Sequence, residues 1–332
     1  MKIAKYPLAI AVLSAVAGVF GCLIVANLIP ERRELQQPLP HHLASSDDQF
    51  KTSLGALFGS SSIPGNRVET LVNGNQIFPS MLQAIRDAKN TITFETYIYW
   101  RGDIADQFAD KLSQKAREGV SVKVLLDWVG SLPMEKALVE RMQAAGVEVV
   151  KFRPVSWSTV DRVNNRTHRK LLIVDGRVGF TGGVGIGDEW NGDARTPSEW
   201  RDNHYRLEGP AVAELQAAFA EHWIEATGEL LMGDRFFPAI KQDGKQDAQI
   251  VVSSTHQRNV MHLMLMTALA AAEKNIRVEL LTSFLMPSPD GNCSKRESAA
   301  SKSRLLCLEK RLMRALFRKR HATFGANCSR LG

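Results

Sequence analysis

"THRKLLIVDGRVGFTGG", residues 167–183, sets the terms on which the rest of the chain is read. Its centre, "LLIV", is a short apolar run that stops at the turn signal "DGRV" and leads on to a Gly-Gly turn. That pattern predicts a buried strand. His168 and Lys170 stand just ahead of the run and Asp175 just after it, in the spacing H-x-K-x-x-x-x-D. Side chains at i and i+2 of a strand share a face, so His168 and Lys170 point the same way. A neutral imidazole beside a fixed ammonium suits attack on phosphorus. The imidazole attacks, and the ammonium neutralises the non-bridging oxygens of the transition state. Asp175, at the strand's end, is better placed to hold structure than to react. Gly182 and Gly183 would let backbone N–H groups approach a phosphate closely. The spacing alone is weak, since average residue frequencies put such a string in about 2% of chains this long. Its weight comes from what surrounds it.

Working outward, the chain from Asn66 alternates strand and helix. "VETLVNG" reads as a strand and turn, and "IFPSMLQAIRDAK" as a helix with Met81, Leu82 and Ile85 on one face. "TITFETYIYW" alternates as a strand should. A helix over 104–118, a strand over 121–127, a helix over 134–145 and a strand over 148–152 follow. This βαβ rhythm predicts an α/β/α sandwich with a mixed, mostly parallel sheet flanked by helices. Residues 31–65, rich in Pro, Ser and Gly, read as a linker with one short helix. "AIRDAKNTITFE" (84–95) aligns without gaps to "ALAAAEKNIRVE" (268–279), and "QIVVSS" (249–254) takes the place of "VETLVNG". A second repeat is therefore expected over 247–283, after a first domain over 66–246, although any two βα units look somewhat alike.

The net charge of +7 is unevenly spread. From Leu281 onward there are 11 Lys or Arg against 3 Asp or Glu, which leaves 31 against 32 in the remainder. The body is neutral, so a nucleic-acid surface is not expected there. Cys293, Cys307 and Cys328 also lie in this basic tail, 284–332, and no C-x-x-C pair or zinc spacing occurs, so neither a disulfide framework nor a metal site is expected. At the other end, Leu8–Ile29 is 22 residues without a charge. As a helix it would span roughly 33 Å, enough to cross a bilayer core. An uncleaved single-pass transmembrane anchor over residues 1–30 is favoured over a cleaved leader, because no clear small-residue cleavage site follows the run.

Several segments together resemble the phospholipase D superfamily, most closely its bacterial cardiolipin synthase-like branch: "FETYIYWRGDIADQFADKL", "VKVLLDWVGS", "THRKLLIVDGRVGFTGGVGIGDEW" and "WRDNHYRLEGPAV". The resemblance spans roughly residues 66–283. It implies that His168 is a nucleophile or its partner acid and that Lys170 binds phosphate, with Asp175 completing the motif. It also implies that Asp202 hydrogen-bonds the catalytic histidine, fixing its tautomer. Glu95 falls where relatives carry an acid near the site, and a structural ion pair is an equally good reading of it, since a charge amid "ITFETYIYW" needs a partner. Trp100, Trp190 and Trp200 could wall a headgroup pocket, with core packing the simpler account. No metal or nucleotide cofactor is needed by this chemistry, because histidine supplies the nucleophile and lysine the charge.

Two departures stand out. Most cardiolipin synthases carry an asparagine where this chain has Gly185. The family also uses two H-x-K motifs across one cleft, and this sequence has one. Applying the 73-residue separation of Glu95 and His168 to Glu279 puts the second at position 352, beyond residue 332. The expectation is thus a membrane-anchored phosphatidyltransferase of cardiolipin synthase type, working through a phosphohistidine on a phosphatidylglycerol-like phospholipid at the bacterial inner membrane. Rival readings are a phosphodiesterase or nuclease whose site a homodimer completes, and a non-catalytic, membrane-tethered remnant. The tail after residue 283 reads either as the product of a frame change or as a basic amphipathic helix on anionic lipid.

Overall fold

A strand covered on both faces must be apolar or internally paired at every position. In the computed structural model of the chain, the strand Thr91–Thr96 meets that demand: all six residues are buried. The structure describes residues 7–28, 47–154, 166–253 and 260–271. In chain order they form α1 (Pro7–Leu28), α2 (Asp48–Phe58), β1 (Ile63–Val72), α3 (Asn73–Asp87), β2 (Thr91–Thr96), α4 (Asp103–Arg117), β3 (Ser121–Asp127), α5 (Lys136–Ala144) and β4 (Glu148–Phe152). Then come β5 (Leu171–Val174), β6 (Val178–Gly182), a short 3-10 turn (Asp188–Trp190), β7 (Asn203–Glu208), α6 (Val212–Thr227), β8 (Gln246–Ala248) and α7 (Val260–Ala270). The chain divides into two compact units, residues 1–32 with 51–262, and residues 33–50 with 263–332. The sheet and everything described below belong to the first.

The described strands form one eight-stranded sheet in the order β4-β3-β2-β5-β6-β7-β1-β8. The expectation of a mostly parallel sheet needs correction. Only β2–β3 and β3–β4 pair in parallel, while β2–β5, β5–β6, β6–β7, β1–β7 and β1–β8 are antiparallel. The helical crossovers through α4 and α5 keep β2, β3 and β4 running one way, as the rhythm of the sequence implies. Between β5 and β6 the chain reverses in a turn. Asp175 (φ 52°) and Gly176 (φ 62°) form the centre of a tight turn in which Arg177 N–H donates to Val174 O at 2.9 Å. Asp-Gly supplies the positive φ that this turn needs at both central residues, and because Val174 pairs with Val178, three residues, 175–177, connect the two strands.

Alternation along each strand sends side chains to two cores. Ile92, Phe94, Val122, Val124, Leu126, Leu172, Val174 and Phe180 face α3, α4 and α5, where Phe94, Phe78 and Phe108 meet edge and face. Leu125, Leu171, Ile173 and Leu207 face α6, against Leu215, Phe219 and Trp223. The helices therefore do flank both faces, as expected.

α1 carries its apolar run as a 22-residue helix. Its side chains are described only from residue 12 to residue 23, about 18 Å of helix. Among the described residues no helix is long and apolar enough to cross a membrane. Val12, Leu13, Val16, Val19, Phe20 and Leu23 are each more than half exposed. Of the expected second repeat, residues 254–259 and 272–283 lie outside the described residues, as do residues 31–46 of the expected linker and the tail 284–332. "QIVVSS" was expected as a strand; residues 249–253 form none, and the strand that joins β1 is the preceding Gln246–Ala248.

Candidate active site

His168 and Lys170 sit in extended chain just ahead of β5. The strand is shorter than the sequence pattern implies: its ladder with β2 begins only at Glu95↔Leu171. The alternation nevertheless persists through this lead-in. Thr167 and Arg169 turn to the α6 side: Thr167 Oγ1 donates to Glu95 Oε1 at 2.6 Å, and Arg169 Nη1 to Ala218 O at 2.6 Å. His168 and Lys170 turn the other way. The His168 ring lies 5.0 Å from the Tyr97 ring. Lys170 Nζ stands 3.3 Å from His168 Nδ1, 3.4 Å from Nε2 and 3.1 Å from the His168 carbonyl, to which it donates.

Burial dominates the electrostatics. Lys170 is 6% exposed, and loss of hydration pushes its ammonium down to about 8, partly offset by the Asp202 carboxylate. His168 is held below the ordinary imidazole value, first by burial and then by the Lys170 charge. Neutral imidazole is thus the dominant form at neutral pH, beside an ammonium that still holds its proton.

The other residues singled out in the sequence fall into distinct places. Asp175 holds the backbone: Oδ2 accepts from Lys89 N–H at 2.9 Å, and Oδ1 from Asn90 N–H at 2.6 Å and Thr91 N–H at 2.8 Å. It ties the turn after β5 to the turn before β2. Asp202 Oδ2 accepts from the indole of Trp190 at 3.1 Å and Oδ1 from Asn203 N–H at 2.8 Å, while its charge acts on Lys170. Glu95 lies across the sheet from His168, on the α6 side, fully buried. There His222 Nδ1 stands 2.7 Å from Oε1, stacked on Phe152. Its link to the site runs through Thr167, whose N–H also donates to the buried Asp127 carboxylate at 3.2 Å. Trp100, Trp190 and Trp200 pack on one another with ring centroids 4.7–6.2 Å apart, and Trp190 belongs to the core.

Gly182 and Gly183 are needed for close approach. A Cβ on Gly182 would lie 2.5 Å from His204 Nδ1, and one on Gly183 would collide with the Asp202 carboxylate. The Gly183 N–H itself donates to Asn203 O at 3.3 Å. Gly185 is confined too: a Cβ there would lie 2.7 Å from Ile98 Cβ and 2.9 Å from its Cγ2. An asparagine cannot enter that position without displacing Ile98. Gly185→Asn is expected to cost about 1–3 kcal/mol by overpacking, read as a lower midpoint of urea unfolding at unchanged slope. An unchanged midpoint would show that the 98–100 segment yields freely. The residues that sequence reasoning missed are His204, Thr167, Asp127 and His222. None of these left a readable sign: by alternation His204 shares its face with Arg206 and Glu208 and reads as exposed, and only the structure buries it.

An eight-stranded mixed sheet with helices on both faces and an imidazole–ammonium pair at the head of a central strand defines a phospholipase D-like domain. Residues 81–223 match the family described as "Cardiolipin synthase, PLD-like domain". The chain belongs to the phospholipase D superfamily, in its cardiolipin synthase branch. It is 33% identical to cardiolipin synthase 1 of Bacillus anthracis over 285 residues, covering 82% of this chain and 55% of that protein. It is 36% identical to cardiolipin synthase 1 of Bacillus cereus over 232 residues, 66% of this chain and 45% of that protein. The chain thus spans about half the length of these curated relatives. Among solved structures it is similar to Nuc, a phospholipase D family member of Salmonella typhimurium, at 15% identity and a TM-score of 0.39, over 51% of this chain and 99% of that one.

Proposed function

We propose that this chain is a phosphatidyltransferase of the cardiolipin synthase kind, acting on a phosphatidylglycerol-like phospholipid. The observation that carries the reading is the buried ammonium of Lys170 within 3.4 Å of both ring nitrogens of His168. One imidazole nitrogen attacks the phosphorus of the donor lipid, and a P–N bond forms as the P–O bond to the leaving alcohol breaks. Lys170 offsets the charge on the non-bridging oxygens, and the leaving oxygen takes up a proton. The hydroxyl of an acceptor lipid then loses its proton, attacks the same phosphorus and releases His168. The proton donor opposite His168 is assigned to a second H-x-K motif, contributed by a second copy of this chain in a homodimer. The Glu95–Thr167 contact holds the start of the motif strand, Asp175 fixes its far end, and the Asp202 carboxylate supports the Lys170 charge.

The membrane is the expected setting. Six large apolar side chains of α1 are exposed over about three turns, and such a surface calls for an apolar cover. With the full apolar run of the sequence, α1 anchors the chain as a single pass in the bacterial cell membrane.

The test is transfer by the full chain in detergent on mixed micelles containing phosphatidylglycerol, with the mass state measured alongside. Formation of cardiolipin by a dimer supports the reading. Hydrolysis of DNA without lipid transfer would replace it with the nuclease reading, and neither activity would leave the remnant.

The titration of Lys170 gives a second expected result. Its ammonium is lost as pH rises through about 8, so kcat/KM for lipid should fall above that pH. Stability moves the other way. The folded pKa lies below the unfolded value of about 10.4, so between the two the unfolded chain binds more protons and this group's contribution grows more favourable as pH rises. A basic limb near pH 8 without a lower melting temperature is therefore expected. A flat activity profile from pH 7 to 10 would contradict the role given to Lys170.

A further inference from the structure

His204 is a histidine in the middle of a sheet with nothing to bond. It lies on β7, 1% exposed, and neither ring nitrogen has a hydrogen-bond partner. A buried polar group left unpaired is costly, and in a folded protein it calls for an explanation.

Register supplies one. Leu172 pairs with Phe180, Leu171 with Thr181, and Gly182 with His204. Lys170 therefore falls beside Gly182 at the end of the β5–β6 ladder. Lys170, Gly182 and His204 form a single row across three neighbouring strands, all on the face that carries His168. The middle member has no side chain, and His204 uses that space: its Nδ1 lies 2.5 Å from where a Gly182 Cβ would stand. The ring thus leans over Gly182 toward Lys170. Burial and the Lys170 charge hold the imidazole down to about 3, so it is neutral and offers one N–H and one lone pair. The nearby Asp202 carboxylate receives Trp190 and Asn203, and the His204 ring bonds to neither of its oxygens.

We propose that His204 is a further substrate-contacting residue, donating a ring N–H to a non-bridging oxygen of the phosphoryl group that Lys170 neutralises. Lys170 supplies charge, and His204 supplies a directed donor on a rigid strand that fixes the oxygen's position. The inference rests on the phosphoryl-transfer reading of His168 and Lys170.

The experiment titrates the full chain in detergent with orthovanadate, a phosphoryl mimic, and compares the native chain with His204→Leu and His204→Gln. The leucine variant is expected to bind at least tenfold more weakly while melting no lower than the native chain, since it removes an unpaired polar group. The glutamine variant, which keeps an N–H donor, should bind within about threefold of native. If the leucine variant does not fold, His204→Met takes its place. Native-like binding by the leucine or methionine variant overturns the inference while leaving the phosphoryl reading intact. Failure of the native chain to bind vanadate overturns both.

Discussion

His168→Ala is expected to lower phosphatidyl transfer by roughly a thousandfold or more, with little change in melting temperature. The size follows from the role: without the imidazole of His168 the covalent intermediate on this strand cannot form. Lys170 Nζ, 3.3 Å from His168 Nδ1, holds its proton below about pH 8. His168 bears little load in the fold. Its ring contacts Tyr97 and the Lys170 ammonium, whereas the packing on either side of it is made by Thr167, Arg169 and Leu171. Lys170→Ala should cost about a hundredfold to a thousandfold, the usual range for removing one group that stabilises transition-state charge. An alanine variant at 168 that retained a tenth of native transfer would require a different nucleophile.

The largest expected loss of stability is at His222. Glu95 is fully buried, and its Oε1 is met by both Thr167 Oγ1 and His222 Nδ1, while Oε2 has no partner. His222→Leu would leave the carboxyl with a single hydrogen bond and remove the ring stacked on Phe152. The expected cost is about 3 kcal/mol, or a melting temperature lower by roughly 6–12 °C. Adding Glu95→Leu should recover much of that loss, because a buried polar pair replaced as a whole costs far less than a pair that is broken. Additive single losses in calorimetric melts would show that the two side chains act independently. Because Thr167 precedes His168, the single variant should also slow transfer, and the double variant should show whether stability or the Thr167 contact is responsible.

Much of this was legible in the residues. Strands over 121–127 and 148–152 fall where the pattern places them, because each is an apolar run between clear helix and turn signals. The shared face of His168 and Lys170 follows from a period of two, which survives even where the ladder has ended. The sheet's dominant antiparallel pairing was not legible. A βαβ rhythm fixes only the pairs it connects, and the partner of β2 across the centre is set by the hairpin that follows residue 166. The site was half legible. Glu95 and His222 are 127 residues apart and Asp127 and Thr167 are 40 apart, separations that no local pattern encodes. The packing role of the glycines was not legible: a Gly-Gly turn beside a reactive lysine suggests backbone donors for phosphate, and in the fold both positions also make room for residues 202–204.

The central claim is that His168 carries the phosphatidyl group between donor and acceptor. It is tested most directly by trapping that adduct. The chain would be mixed with phosphatidylglycerol bearing a labelled phosphorus, quenched in alkali within a turnover, digested and mapped by mass spectrometry. The account predicts a label stable to alkali, labile to acid, and confined to the peptide containing His168. Turnover of lipid with no labelled peptide, or with the label on another residue, would contradict it.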